Sequence, residues 1–135
     1  MVERAIVALL TAAATTAADR IDPLQLPRDP TLPAITYQRI STPRPLQHDG
    51  DQGYASFRTQ INCWANRIEG STDGYKQVKA LADEVRQALN GFRGSAGGVT
   101  VGMMQISGDR DEWDPQREFE RIIVEASGSY RETKP

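Results

Sequence analysis

Cys63, His48 and Asp49 are the residue types from which a nucleophilic site is assembled: a thiol, an imidazole to take its proton, and a carboxylate to orient the imidazole. They include the only cysteine and the only histidine of the chain. Their placement argues against that chemistry. Cys63 alternates with Phe57 and Ile61 on the side of a segment that must face a dry core, where a thiol is inert packing, whereas His48 and Asp49 fall among turn-forming residues. No catalytic residue is expected, and no enzymatic activity. Asp109, Asp111 and Asp114 could offer oxygens to a calcium ion, but the stretch lacks the glycine and the closing bidentate glutamate of a calcium loop. It reads as a solvated turn, and no metal is expected. Gly94-Ser95-Ala96-Gly97-Gly98 has no following Lys-Ser/Thr and comes after a helical pattern, so it is a linker and not a phosphate cradle. No cofactor is expected, since HExxH, GxSxG and paired Cys/His ligand sets are all missing from the sequence.

What remains is a set of residues suited to contact with other macromolecules. Arg39, Arg44 and Arg58 could gather near one hairpin and meet an acidic partner, although solvated strand charges are the plainer account. His48 and Asp49 sit in a long loop, Trp64 and Trp113 are the largest aromatics, and Asp109, Asp111 and Asp114 cluster in an acidic turn. These ten are the candidate interaction residues.

The elements that would position them follow from periodicity. Val2, Ile6, Leu9, Leu10, Ala13 and Ala17 recur at steps of three and four, which places a first helix over residues 1–18. A secretory signal is the competing reading of that run, but Glu3 dilutes the positive start, Thr11 interrupts an alanine-rich stretch, and a single cysteine cannot supply an internal disulfide. The chain is therefore expected in the cytoplasm and not secreted. Four prolines between Pro23 and Pro33 forbid helix and central strand alike, leaving an extended connector. AITYQRI, residues 34–40, reads as a first strand, and STPRPLQHDGDQG, residues 41–53, as a long exposed loop. YASFRTQINCW, residues 54–64, puts Ala55, Phe57, Thr59, Ile61 and Cys63 on one face and Ser56, Arg58, Gln60 and Asn62 on the other. Burying Phe57 and Ile61 contributes about 1.5–3 kcal/mol each, enough to hold that register.

Ser71, Thr72 and Asp73 are competent caps ahead of the stripe Tyr75, Val78, Leu81, Ala82, Val85, Ala88, Leu89 and Phe92, the clearest helix in the chain. Residues 99–107 read as a third strand, GDRDEWDP (108–115) as a turn, and 118–130 as a fourth strand with Ile122, Val124 and Ala126 inward; residues 131–135 should fray. The expected fold is α+β: a four-stranded, mainly antiparallel sheet in the order α-β-β-α-β-β, with two helices packed on one face. Tyr37, Ile40, Trp64, Val101 and Met103 exceed what one face of such a sheet absorbs, so its second face is also expected to be apolar and to be sealed by other subunits.

At 135 residues, 39% hydrophobic and 25% charged, the chain has room for one domain spanning 1–135 and carries no membrane-spanning run. A net charge of −2 supplies no general attraction for phosphate backbones or anionic lipid. The succession LPRDPTLPAITYQRIS, a long loop, FRTQINCWA, YKQVKALADEVRQALNGFRG and DEWDP before a final alternating strand resembles the tail completion, or tail terminator, family of long-tailed phages and prophages, over residues 4–131. The departure is Glu125-Ala126-Ser127-Gly128-Ser129-Tyr130, smaller and more polar than the apolar, aromatic last strand of that family.

The resemblance implies a virion tail protein that forms a ring, typically hexameric, on the head-proximal end of the tail tube, ends tube polymerisation and joins the head connector. Its implied partners are copies of itself, the tube protein and the head completion or connector protein, with DNA passing through the bore without specific binding and no membrane involved. Strand residues would make the ring contacts, the loop 41–53 and the turn 108–115 would reach the neighbours, and Asp109 and Asp111 would line the bore. The alternatives are a small monomeric ligand- or peptide-binding module with a concave apolar pocket, and a cysteine hydrolase with Cys63 exposed beside His48.

Overall fold

The computed structural model describes residues 2–13, 15–17, 20–28, 30–41, 54–66, 70–114 and 119–131; of Ser41, Tyr54, Trp113 and Asp114 it describes the backbone alone. Helix α1 (Val2–Ala12) buries Val2, Ala5, Ile6 and Leu10, the face that the spacing predicts. It stops short of residue 18. Thr16 gives its backbone N–H and hydroxyl to the Glu84 carboxylate, at 3.1 and 2.6 Å, and a threonine bonded outward in this way competes with continuation of the helix. Ala17 is fully buried all the same, core without being helix, whereas Ala13, which also extended the helical pattern, is exposed.

The four-stranded sheet is the main correction. Six strands form one mixed, curled sheet: β1 (Ile21–Pro23), β2 (Ala34–Ser41), β3 (Tyr54–Asn66), β4 (Gly94–Ala96), β5 (Val99–Asp114) and β6 (Phe119–Arg131), in the spatial order β1-β2-β3-β6-β5-β4. Both additional strands have three residues and lie at the edges, where a short ladder tolerates what a central strand would not. β1 runs parallel to β2, Ile21 facing Ile35, and ends on Pro23, whose missing N–H costs nothing at an edge. β4 closes a hairpin onto the start of β5 through Gly97 and Gly98, both in the left-handed region (φ 56° and 77°), so the expected linker is a turn with paired flanks. α2 (Asp73–Leu89) follows β3 and buries Val78, Leu81, Ala82, Val85 and Leu89. Thr72 occupies its N-cap position without a side-chain cap bond, and the Ser71 hydroxyl instead accepts from the Asp73 N–H.

The acidic turn expected at 108–115 is also corrected: Gly108 to Asp114 continue β5, paired residue by residue with Glu125 to Phe119. Alternation inside β3 and β6 is as expected, with Ala55, Phe57, Thr59, Ile61 and Cys63 facing the helices beside Ile122, Val124 and Ala126. The core lies between that face and the two helices, and it also takes in Val101, Met104 and Tyr130. The small residues of the last strand have a local cause. β5 bulges between Val101 and Met103, opposite Tyr130 and Ser129, and at the next pair, Met104 with Gly128, a Cβ on the glycine would lie 1.9 Å from the Met103 carbonyl oxygen. Tyr130 nonetheless supplies an inward aromatic, meeting Phe57 edge to face at 6.1 Å.

The second face of the sheet is not the apolar surface expected. Val101 is inside the helix-covered core and Tyr37 packs against it. Trp64 does lie on the far face, but it is buried at one corner with Leu26 and Ala34, against Leu32 and Phe119, under residues of the proline-rich connector. Of the five surplus residues only Ile40 and Met103 are exposed, at 43% and 41%. Ile123 also lies on that face and is fully buried, but it is surrounded by Thr36, Gln38, Arg58, Gln60, Asn62, Arg110, Glu112, Arg121, Glu125, Ser127 and Ser129, so little exposed apolar surface is left there for other subunits to seal.

Candidate interaction surface

The long hairpin β5–β6 carries charge on both faces, arranged differently on each. Towards α2, Asp109 pairs with the Arg86 guanidinium, which also meets Asp83, and the Tyr75 hydroxyl donates to Asp111 at 2.7 Å. That bond to a carboxylate, together with burial, holds the Tyr75 phenol above its ordinary value. The two aspartates expected to line a bore thus fasten the hairpin to α2. On the far face the charges form a ladder across three strands. Arg58 of β3 reaches Glu125 at 3.1 Å, Arg110 of β5 reaches Glu125 at 3.3 Å and Glu112 at 3.7 Å, and Arg121 of β6 reaches Glu112 at 3.2 Å. Arg121 also lies 5.1 Å from the Trp64 ring centroid, while the indole N–H donates to the Thr36 hydroxyl at 3.0 Å. Three guanidiniums against two carboxylates leave this strip positively biased.

The three arginines that might have formed a basic patch do not come together. Arg39 is on the helix side, 3.9 Å from Glu3 of α1; Arg58 is on the opposite face; Arg44 lies outside the described residues, as do His48 and Asp49. Trp113 and Asp114 have described backbone only, opposite Glu120 and Phe119. Arg86, Arg110, Glu112, Arg121 and Glu125 are the contributors that sequence reasoning missed. Their signal was available: in GDRDE the charges alternate with period two, Arg110 and Glu112 against Asp109 and Asp111, as on a strand.

Cys63 is fully buried, and burial first, then the negative charge of Glu84, pushes its thiol up to about 12. At neutral pH it is not a nucleophile. Among the described residues no three His, Cys, Asp or Glu side chains come together as a metal would require. A groove of about 410 Å³ runs beside α1, walled by Glu3, Arg4, Val7, Ala8, Tyr37 and Gly97. The arrangement offers contact surfaces of three kinds: a charged strip, a clamped hairpin and a partly apolar groove.

The family model for tail completion protein gp17 matches residues 4–128 of the 135. The chain belongs to the tail completion protein family. Its sequence matches no curated protein. Among solved structures, a chain from "Virion of native gene transfer agent (GTA) particle" matches with a TM-score of 0.58 and 16% identity, over 92% of this chain and 85% of that one. At that identity the likeness concerns the fold. Family membership makes this tail completion protein a structural component of a phage-like tail.

Proposed function

We propose that this tail completion protein caps the head-proximal end of a tail tube as a ring of its own copies, ends tube polymerisation and presents the surface to which the head connector joins, without catalysing a reaction. The observation that carries the reading is the family match over residues 4–128. The sequence expectation of an apolar sealing face no longer supports it. The polar far face offers a different kind of contact, in which an Arg–Glu ladder supplies directional, charge-assisted bonds to a neighbour and keeps the free subunit soluble. In this reading the protein is made in the host cytoplasm, stays there until assembly, and lets DNA pass without specific binding.

The test is removal of its gene from the producing genome. Particles should then separate into full heads and unjoined tails, the tubes running past their normal length in electron micrographs, and antibody should label the head end of wild-type tails. Joined particles of normal tail length without the protein would refute the proposal. The rival, a monomeric ligand- or peptide-binding module, draws on the groove beside α1. Light scattering behind size exclusion, with and without purified tube ends, separates the two: a binding module stays a monomer in both.

A further inference from the structure

We propose that the open edge of β5, from Ser107 to Asp114, pairs antiparallel with the same edge of a second copy of this chain, Arg110 of each lying opposite the partner's Glu112. The two edges of the sheet are finished differently. At one, β1 ends on Pro23, which has no N–H to offer, and the Pro23 carbonyl accepts from the Gln25 N–H at 2.8 Å. At the other, β4 covers only Val99, Thr100 and Val101 of β5. The turn after α2 continues the cover: the Met104 N–H donates to the Phe92 carbonyl at 2.9 Å, the Met104 carbonyl accepts from the Gly91 N–H at 2.8 Å, and the Ile106 N–H donates to Asn90 Oδ1 at 3.0 Å. Beyond Ile106 no strand among the described residues pairs with the outer edge, and Ser107 to Glu112 are all exposed. That stretch is longer than the usual strand of about 5–6 residues, ample for another to add.

Those bonds show which backbone groups face outward. Met104 and Ile106 turn theirs away from β6, and the bulge between Ile106 and Gly108 shifts the alternation by one residue. Asp109, Asp111 and Trp113 therefore direct N–H and C=O to the open edge, while Arg110 and Glu112 direct theirs to β6. An antiparallel copy joins Asp111 to the partner's Asp111 and Asp109 to the partner's Trp113, so the outward groups complement one another.

The side chains select that register. With Asp111 on the two-fold axis, Arg110 meets the partner's Glu112 on the far face, and the symmetry repeats the pair. Sliding by two residues sets Arg110 against the partner's Arg110, or Glu112 against the partner's Glu112. The ladder within the chain leaves both groups room for this. Arg110 bonds Glu125 through Nη1 at 3.3 Å, its Nε lies 3.7 Å from Glu112 Oε1, beyond hydrogen-bond range, and Arg121 engages Glu112 through Oε2. α2 packs chiefly over β6 and β3, so the two copies of that helix stand clear of the seam. The cost falls on the helix side, where two Asp111 carboxylates meet, each accepting from a Tyr75 hydroxyl. A ring that caps a tube has its subunits oriented alike and lacks this two-fold, so the pair belongs to the free subunit and covers an aggregation-prone edge until assembly.

Two readouts on the intact protein test the pairing, and neither depends on the tail reading. Sedimentation equilibrium of wild type should give a monomer–dimer equilibrium that is at least tenfold weaker in Arg110→Glu and in Glu112→Arg, recovers in the double variant, and tightens in Asp111→Asn. Amide exchange at Asp109, Asp111 and Trp113 should slow as concentration rises towards complete pairing. A wild-type monomer at about 1 mM, the range of the weakest specific association, overturns the proposal. So does a dimer that is indifferent to both single charge reversals, one that the double variant does not recover, or one that leaves those three amides unprotected.

Discussion

Cys63 illustrates how a reactive residue type becomes packing. Its thiol sits at about 12 against an ordinary 9.0 because the folded state has no water to hydrate a thiolate there. The sign of the linkage follows. The folded pKa lies above the unfolded one, so the contribution is intact below pH 9 and is lost as pH rises from 9 towards 12, where the unfolded chain sheds the proton and the folded chain does not. At pH 10 the loss for this group is on the order of 1 kcal/mol relative to neutral pH. Urea unfolding at pH 7.5 and 10 should show that decrement in wild type and a correspondingly smaller one in Cys63→Ala; equal decrements would mean that the thiol is accessible after all. Gly128 makes a second prediction of this kind. A methyl group there would meet the Met103 carbonyl at 1.9 Å, backbone against backbone, which no rotamer change relieves. Gly128→Ala should cost about 1–3 kcal/mol or more in urea unfolding, and a wild-type midpoint would show that the bulge opens freely.

The strands and helices were legible where one face is dry and the other wet. β3, β6 and α2 bury large side chains at regular steps, and their inward residues could be named from period alone. The elements that were misread are those whose residues satisfy themselves by other means. β1 and β4 are too short to show a period, and they gain their pairing from a neighbour far away in sequence or across a glycine turn. The distal half of β5 looked like a turn because its side chains are charged; in the structure Asp109, Arg110, Asp111 and Glu112 each have a partner on their own face, as strand pairing with β6 allows. That account is testable by a double-mutant cycle on Arg86 and Asp109. Both side chains are more than a third exposed, so the coupling between Arg86→Ala and Asp109→Ala should be about 0.2–1 kcal/mol, and zero coupling would leave the clamp without energetic content. The candidate site was less legible than the fold for the same reason. Asp109 and Asp111 were singled out as free acids, whereas in the structure each is engaged by α2, and Arg110, Glu112 and Arg121, read as ordinary solvated charge, form the continuous strip.

For the molecule in its assembly, the polar far face changes how subunits are expected to hold one another. A ring closed by apolar burial would be stable in isolation and indifferent to salt, whereas one closed through arginines and carboxylates is weakened as ionic strength rises, because each ion pair at the surface is screened within about 8–10 Å. Substituting Arg110→Glu sets three carboxylates near one another, at 110, 112 and 125, on a face that contributes little to the core. The folded subunit should therefore survive, its thermal midpoint lowered by no more than a few degrees, while the yield of joined particles falls at least tenfold. The compensating change Glu125→Arg restores opposite signs at that point of the ladder and should recover part of the yield if the strip pairs with itself across subunits; if it faces a different protein, the double variant should stay defective. Counting joined particles by electron microscopy at low and at 0.5 M salt reads both outcomes. A normal yield from Arg110→Glu at both salt concentrations would remove the strip from the interface altogether, leaving the groove beside α1 and the segment 42–53, outside the described residues, to test next, the segment by deleting residues 44–51.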